Sequence, residues 1–422
     1  MNRSAWRYLL LLTFCHLTVV AVEKDWPKWR GLHGDGSWSG PALKRELPPD
    51  GLKKCWQFKV SPGYSGVTVS KGLAYLMDKP KPTKEGEIER VVCVDVEKGN
   101  LIWEYVYQVD YANLDYGKGP RASVTIENGK AYGLGAMGHA FSLDAKNGEE
   151  IWFRNLAMEE NCPPPIWGYS SAPEPLGEFM LYHVGGKNGN LLALSASNGK
   201  TKWRVGGDKK AGYAPPLVVQ AGEQPQLICW GPNRIMGLPI GGGNELWSIP
   251  YEVKYGVSIA KPIFVDGTVL VCGYWNGSRA ISVGKKGEQA SLLWSEEERL
   301  RGLMAQPLHR EGIIYLLDRS HGLTAFELKS GNILWRDNHE LTAAGRNPHA
   351  SLVWLGEKGG DALSLNAEGE LVYLSLTASG FKEYWREQVV GETWAHPAYS
   401  GDKVLARDDR SLYCWELPLL KP

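Results

Sequence analysis

The stretch GNLIW at residues 99–103 returns as GNILW at 331–335, with GEEIW at 148–152, GKTKW at 199–203 and GNELW at 243–247 between them. A glycine followed four residues later by tryptophan is the end of a tight turn and the start of a strand. Asn-Gly, as at Asn147 and Gly148, supplies the positive φ that a short hairpin needs. Tryptophans in this setting fall at Trp56, Trp103, Trp152, Trp203, Trp247, Trp294, Trp335 and Trp385. Their spacing runs from 41 residues (Trp294 to Trp335) to 51 (Trp152 to Trp203). Units of this length with several strands each are the signature of a propeller, one four-stranded blade per repeat.

One unit, RASVTIENGKAYGLGAMGHAFSLDAKNGEEIWFRNL, shows the strands. An inner strand ends at Ile126, a second runs over 130–134, a third over 139–144, and the outer strand carries Trp152. Large and flat, the tryptophan can cover the junction with the next blade and donate its indole N–H there. After Trp385 the chain supplies three more strands but no closing Gly-x-x-x-Trp strand. The segment GLKKCWQFKV at 51–60 is such a strand with no blade before it. Joined, the two ends make eight blades and a closed ring, which leaves only short edges.

Composition agrees with an all-β chain: 18 Trp, 19 Tyr and 50 Gly stand against 8 Phe. Lysine plus arginine equals aspartate plus glutamate at 47 each, so there is no broad basic field for nucleic acid or anionic lipid. The first residues, MNRSAWR, precede an apolar run over 8–20 that is too short to span a bilayer and ends in small residues. A signal peptide over 1–21, a lead segment over 22–50 and a single propeller over 51–418 are expected. The product would be an exported monomer, periplasmic or secreted, and the bulky Phe14 before Cys15 argues against a lipid anchor.

CVDVEKGNLIW, SLDAKNGEEIW, ALSASNGKTKW and AFELKSGNILW resemble the tryptophan-docking motif of the quinoprotein-type, PQQ-like eight-bladed β-propellers. DWPKWRGLHGDG, WGYSSAP, AGYAPPLV and YGVSIAKP are similar to exported bacterial members of that family. The resemblance implies the fold over the whole mature chain and leaves function open. Its dehydrogenases hold pyrroloquinoline quinone and calcium on the axis, with an aspartate base and a disulfide between adjacent cysteines. Its outer-membrane assembly propeller, BamB, is a non-enzymatic scaffold. This chain has no adjacent cysteines, which favours binding or scaffolding, with protein or glycan partners, over a PQQ- and calcium-dependent dehydrogenase.

Candidate residues follow from topology. Segments entering the inner strands gather around the channel mouth and carry Arg121, Trp167, Tyr169, Tyr213, Tyr255, Arg301, Arg346, Asn347, Trp394 and His396. Tyr, Trp and Arg dominate binding hot spots. The turns between second and third strands add His139, Lys187, Asn188, Asn233, Arg234, Trp275, Arg319 and His321. Carboxylates in turns, Asp318, Asp408 and Asp409, are calcium candidates on the dehydrogenase reading and ordinary turn acids otherwise. Of the cysteines beyond the leader, Cys93 and Cys414 fall where the motif has its small residue, matched by Ser142, Ala193, Ser282 and Ala325. Buried thiols are expected, with a Cys55–Cys414 clasp across the ring closure conceivable. Five prolines, Pro173, Pro215, Pro262, Pro307 and Pro397, suit innermost strands, which need no donor on the channel side. Trp26, Trp29 and Trp38 make the lead segment either a strap packed on the propeller flank or an exposed peptide, and the cost of wetting three indoles favours packing.

Overall fold

A computed structural model describes residues 25–112, 114–186 and 189–420, so the expected leader, Lys187 and Asn188 lie outside the described residues. The strands form eight sheets, each built on four antiparallel strands. The first is Thr68–Ser70, Leu73–Asp78, Ile88–Asp95 and Leu101–Gln108, ordered from the channel outward as in the chain. The second, Thr125–Glu127, Lys130–Leu134, His139–Asp144 and Glu150–Asn155, follows the strands expected from its turns. In the eighth, Ala398–Ser400, Lys403–Arg407 and Ser411–Glu416 are completed on the outside by Lys53–Lys59. The protein is an eight-bladed β-propeller.

Burial explains why the strands take these places. A third strand such as Leu191–Ser195 is covered on both faces and apolar up to its final serine. The outer Leu101–Gln108 alternates, burying Trp103 and Tyr107 and exposing its other face. Apolar layers such as Val91 and Cys93 against Phe141 and Leu143 fill the space between neighbouring blades.

The recurrent glycine answers to two demands. Gly99 and Gly148 have φ of 69° and 77°. In addition, a Cβ at Gly99 would lie 2.6 Å from the ring of Trp56, and one at Gly148 2.7 Å from Trp103. Each turn therefore carries the preceding blade's tryptophan on its backbone, where no side chain fits. The indoles of Trp56, Trp103 and Trp294 donate to the carbonyls of Val96, Ala145 and Leu328 in the next blade. Trp247 departs from this pattern. It donates to Gln226 of its own blade, whose amide donates on to Gly287 of the following one.

Cys93, Ser142, Ala193, Ala325 and Cys414 each face the docking tryptophan of their sheet. In the fifth blade the partner of Trp294 is Ala280, not Ser282. The bulge beside the tryptophan is shared with six other blades; what differs is the longer turn, since fourteen residues separate Ala280 from Trp294 against ten from Cys93 to Trp103. All six described cysteines, Cys55 and Cys414 included, are free thiols. Four of the five prolines sit immediately before the innermost strand and Pro215 two residues before it, at the entrance rather than within the ladder.

The lead segment is packed, but not on the flank. Trp26 and Trp38 are fully buried, Trp26 bridges to Val69, and Ser37–Trp38 adds a parallel strand on the channel side of Ala350–Leu355.

Candidate ligand cavity at the channel mouth

One cavity of about 540 Å³ opens at the end of the channel where the chain enters the inner strands. Every blade contributes to it: Tyr64, Arg121, Trp167, Tyr213, Tyr255, Met304, Asn347 and Trp394, in order around the ring. This volume is in the range of a small-molecule site.

Eight of the ten residues expected on this face line the cavity: Arg121, Trp167, Tyr213, Tyr255, Arg346, Asn347, Trp394 and His396. Two do not. Tyr169 is 1% exposed and its hydroxyl donates to the carbonyls of Cys162 and Val184 inside the blade. Its neighbours Trp167 and Ser170 take the lining positions, and the turn at Gly168, with φ 74°, separates Trp167 from Tyr169. Arg301 is drawn to the outer side of its loop, where its guanidinium donates to Ser320 and its backbone N–H to Asp318. Met304, three residues on, occupies the lining place.

Among the described residues of the second set of turns, only Trp275 reaches the cavity. Arg319 stacks on Trp275 and Tyr274 from outside, 4.9 and 4.4 Å from the ring centroids. His139 lies against Tyr107 and Phe153, Asn233 and Arg234 are bound to Asp208, and His321 pairs with Asp318.

The residues that sequence reasoning passed over come from irregular segments. Tyr116 lies in the connection between the first two blades and reaches across the mouth. Its ring stacks on Trp394 at 5.4 Å, and its hydroxyl accepts from Asn347 of the seventh blade at 3.0 Å. Arg121 holds this crosspiece by donating to the carbonyls of Gly117 and Gly119 while lying over the Tyr64 ring. Tyr116 and Tyr255 both adopt left-handed backbone, φ 64° and 60°, and stay 45% and 57% exposed. Bulky residues in that region are strained, and such strain gathers where ligands are clamped. Trp29, from the lead segment, also lines the cavity.

The electrostatics are lopsided. Arg121, Lys254 and Arg346 face a single carboxylate, Asp115. Burial holds the His349 imidazole down to about 4, and His396 is driven well below the usual histidine range by burial, His349 and Arg30. Both rings are neutral at pH 7. His349 is 3% exposed, and neither of its ring nitrogens has a hydrogen-bond partner among the described residues.

The calcium candidates lie elsewhere. Asp318 accepts from the backbone of Arg301 and Ser320 and from His321. Asp408 accepts from the N–H groups of Gly391, Arg410 and Ser411. Asp409 accepts from Gly63. No group of three His, Cys, Asp or Glu side chains suited to a metal exists among the described residues. With one carboxylate in its lining, the cavity does not fit an ion that asks for six to eight oxygen ligands.

Fold and site together define a closed propeller with an axial, aromatic, ligand-sized cavity. The family model described as outer membrane protein assembly factor BamB matches residues 87–337 and 240–379, and the chain belongs to this family of PQQ-like repeat propellers. It is 22% identical over 386 residues to the outer membrane protein assembly factor BamB of Moranella endobia, covering 87% of this chain and 90% of that one. Similarity to the quinohemoprotein alcohol dehydrogenase ADH IIB of Pseudomonas putida is 27% over 335 residues, spanning 68% of this chain but 46% of the enzyme. Among solved structures, the quinohemoprotein alcohol dehydrogenase of Comamonas testosteroni superposes with a TM-score of 0.68 at 14% identity, over 96% of this chain and 82% of that one. At that identity the likeness shows the fold alone.

Proposed function

We propose that this chain is an exported binding or scaffold propeller that works through the face around its channel mouth, holding an organic ligand in the aromatic cavity. The observation that carries the reading is the convergence of one lining residue from each of eight blades on a single cavity. Ring faces from Trp167, Tyr213, Trp275 and Trp394 offer stacking surface. Lys254 and Arg346, which have no carboxylate partner among the described residues, favour a neutral or anionic ligand over a cation. A ligand oxygen reaching His349 would satisfy a buried imidazole that the protein leaves unpaired. Relatives named as outer membrane protein assembly factors support a role among protein partners in the cell envelope.

The test is a calorimetric titration of the mature chain with ring-bearing organic anions and with glycans, repeated on Trp394→Ala. Saturable binding that this substitution weakens supports the reading, and equal binding by both chains removes the cavity from it. The second reading, a pyrroloquinoline quinone dehydrogenase, draws on the planar aromatic walls and the shared fold. Its calcium requirement is unmet by the lining. Titration with the quinone and calcium, followed by reduction of an artificial acceptor on adding alcohols or sugars, decides it: turnover would install the enzyme and displace the scaffold.

A further inference from the structure

The lead segment crosses the channel directly beneath the cavity. Trp26 exchanges both backbone hydrogen bonds with Val69 of the first blade, at 2.8 Å each. The carbonyl of Pro27 accepts from Ile126 of the second blade, and Lys28 shares the carboxylate of Glu174, in the third blade, with the buried Lys261 of the fifth. Arg30, 2% exposed, donates to Leu352 of the seventh, and the rings of Trp26 and Trp38 pack on Tyr399 of the eighth.

The same offset recurs in every one of these blades. The cavity takes Gly66, Ser123, Ala172, Ile259, His349 and His396. The strap takes Val69, Ile126, Glu174, Lys261, Leu352 and Tyr399, two or three residues further along each strand. At roughly 3.3 Å per residue this puts the strap one layer, about 7–10 Å, below the cavity. One side chain rises from it: Trp29 meets His396 edge to face at 5.4 Å and belongs to the cavity lining.

We propose that residues 25–38 are a component of the ligand site: they plug the channel and present Trp29 as its floor, so that stacking on this indole sets how deep a ligand enters. The inference rests on the cavity being a ligand site, and it adds a contact contributed by no blade. Without the strap the same walls would line an open bore, and a ring would meet the aromatic side walls but no indole beneath it. Under the floor Lys28 and Lys261 share the carboxylate of Glu174, and Arg30 lies beside Asp35. Burial lowers the Lys261 ammonium from its usual range, and Glu174 offsets part of that shift.

The experiment uses anilinonaphthalene sulfonate, a ring-bearing anion, titrated by fluorescence into the full mature chain and into W29A, W29F and W394A. Loss of affinity of about tenfold in W29A, with W29F close to wild type and W394A weakened, is the expected result. Unchanged affinity in W29A beside a weakened W394A overturns the floor while leaving the cavity reading intact. No binding by the wild-type chain counts against the cavity reading for this ligand class, and the plug is then decided by hydrogen exchange on the unmodified protein. Slow exchange at the amides of Val69 and Ile126, which donate to the carbonyls of Trp26 and Pro27, relative to the channel edge of Leu217–Ala221, supports it. Equally fast exchange at all three places overturns it.

Discussion

Two segments cross the axis of this propeller, and they are built on opposite principles. The strap over residues 25–38 lies below the cavity with Trp26, Arg30 and Trp38 at most 2% exposed and its backbone tied to inner strands of three blades. The crosspiece over 115–121 lies above it with Tyr116 45% exposed and one guanidinium gathering its carbonyls. Both segments contain residues at positive φ, but the first is stabilised by burial and the second by a few polar contacts. Stability and binding should therefore separate: damage to the buried anchors of the strap, Trp26, Arg30 and Trp38, unfolds the protein, and damage to the crosspiece, like loss of Trp29, empties the site.

The contrast breaks if the two segments respond alike. Trp26→Ala removes a buried indole and should cost about 3–5 kcal/mol, seen as a large fall in Tm; a fall no larger than that of Tyr116→Ala would show that the strap is not anchored as described. The imidazoles between the two segments give the next effect. His349 titrates near 4 when folded against 6.5 as its ordinary value, so the unfolded chain takes up its proton first as pH falls. Stability is complete above about 6.5 and is lost progressively towards 4. His349→Phe should flatten that part of the Tm profile, and an unaltered slope would remove His349 as its source. Arg121→Ala should cost about 1–2 kcal/mol and weaken ligand binding several-fold, because the carbonyls of the crosspiece lose their shared donor. Equal binding by variant and wild type would mean that the crosspiece does not contribute. The smallest effect belongs to Tyr255→Gly. Relief of a left-handed tyrosine offsets the lost packing to within about 1 kcal/mol, leaving Tm nearly unchanged while affinity falls. A large drop in Tm would contradict the strain.

What the sequence discloses follows the repeat. Blade number, strand order and the ring-closing strand were legible because glycine, hairpin turn and tryptophan recur at a fixed period, and most of the cavity was legible because topology puts blade entrances on one face. Tyr169 was misplaced because the chain turns at Gly168, and Ser282 because the turn before Trp294 is longer than in the other blades. Neither leaves a mark in composition. Trp29 and Tyr116 were beyond reach for a different reason: they sit in segments that occur once, so no second copy exists against which to place them. The density of tryptophan in DWPKWRG foretold burial of the lead segment and not its address. The paired oddity of Tyr116, an aromatic among Gly117 and Gly119, was the available signal for the crosspiece.

Closing the eighth blade with Lys53–Lys59 has a consequence for the order of assembly. The strand that completes the ring is made before any blade and must wait, some 350 residues of synthesis, for its partner Ser411–Glu416. The strap just ahead of it waits as well, since its partners are scattered from Val69 to Tyr399. Until then three indoles and an edge strand stand open. A chaperone that recognises apolar extended segments would find its target ahead of the first blade, and would have to let go last.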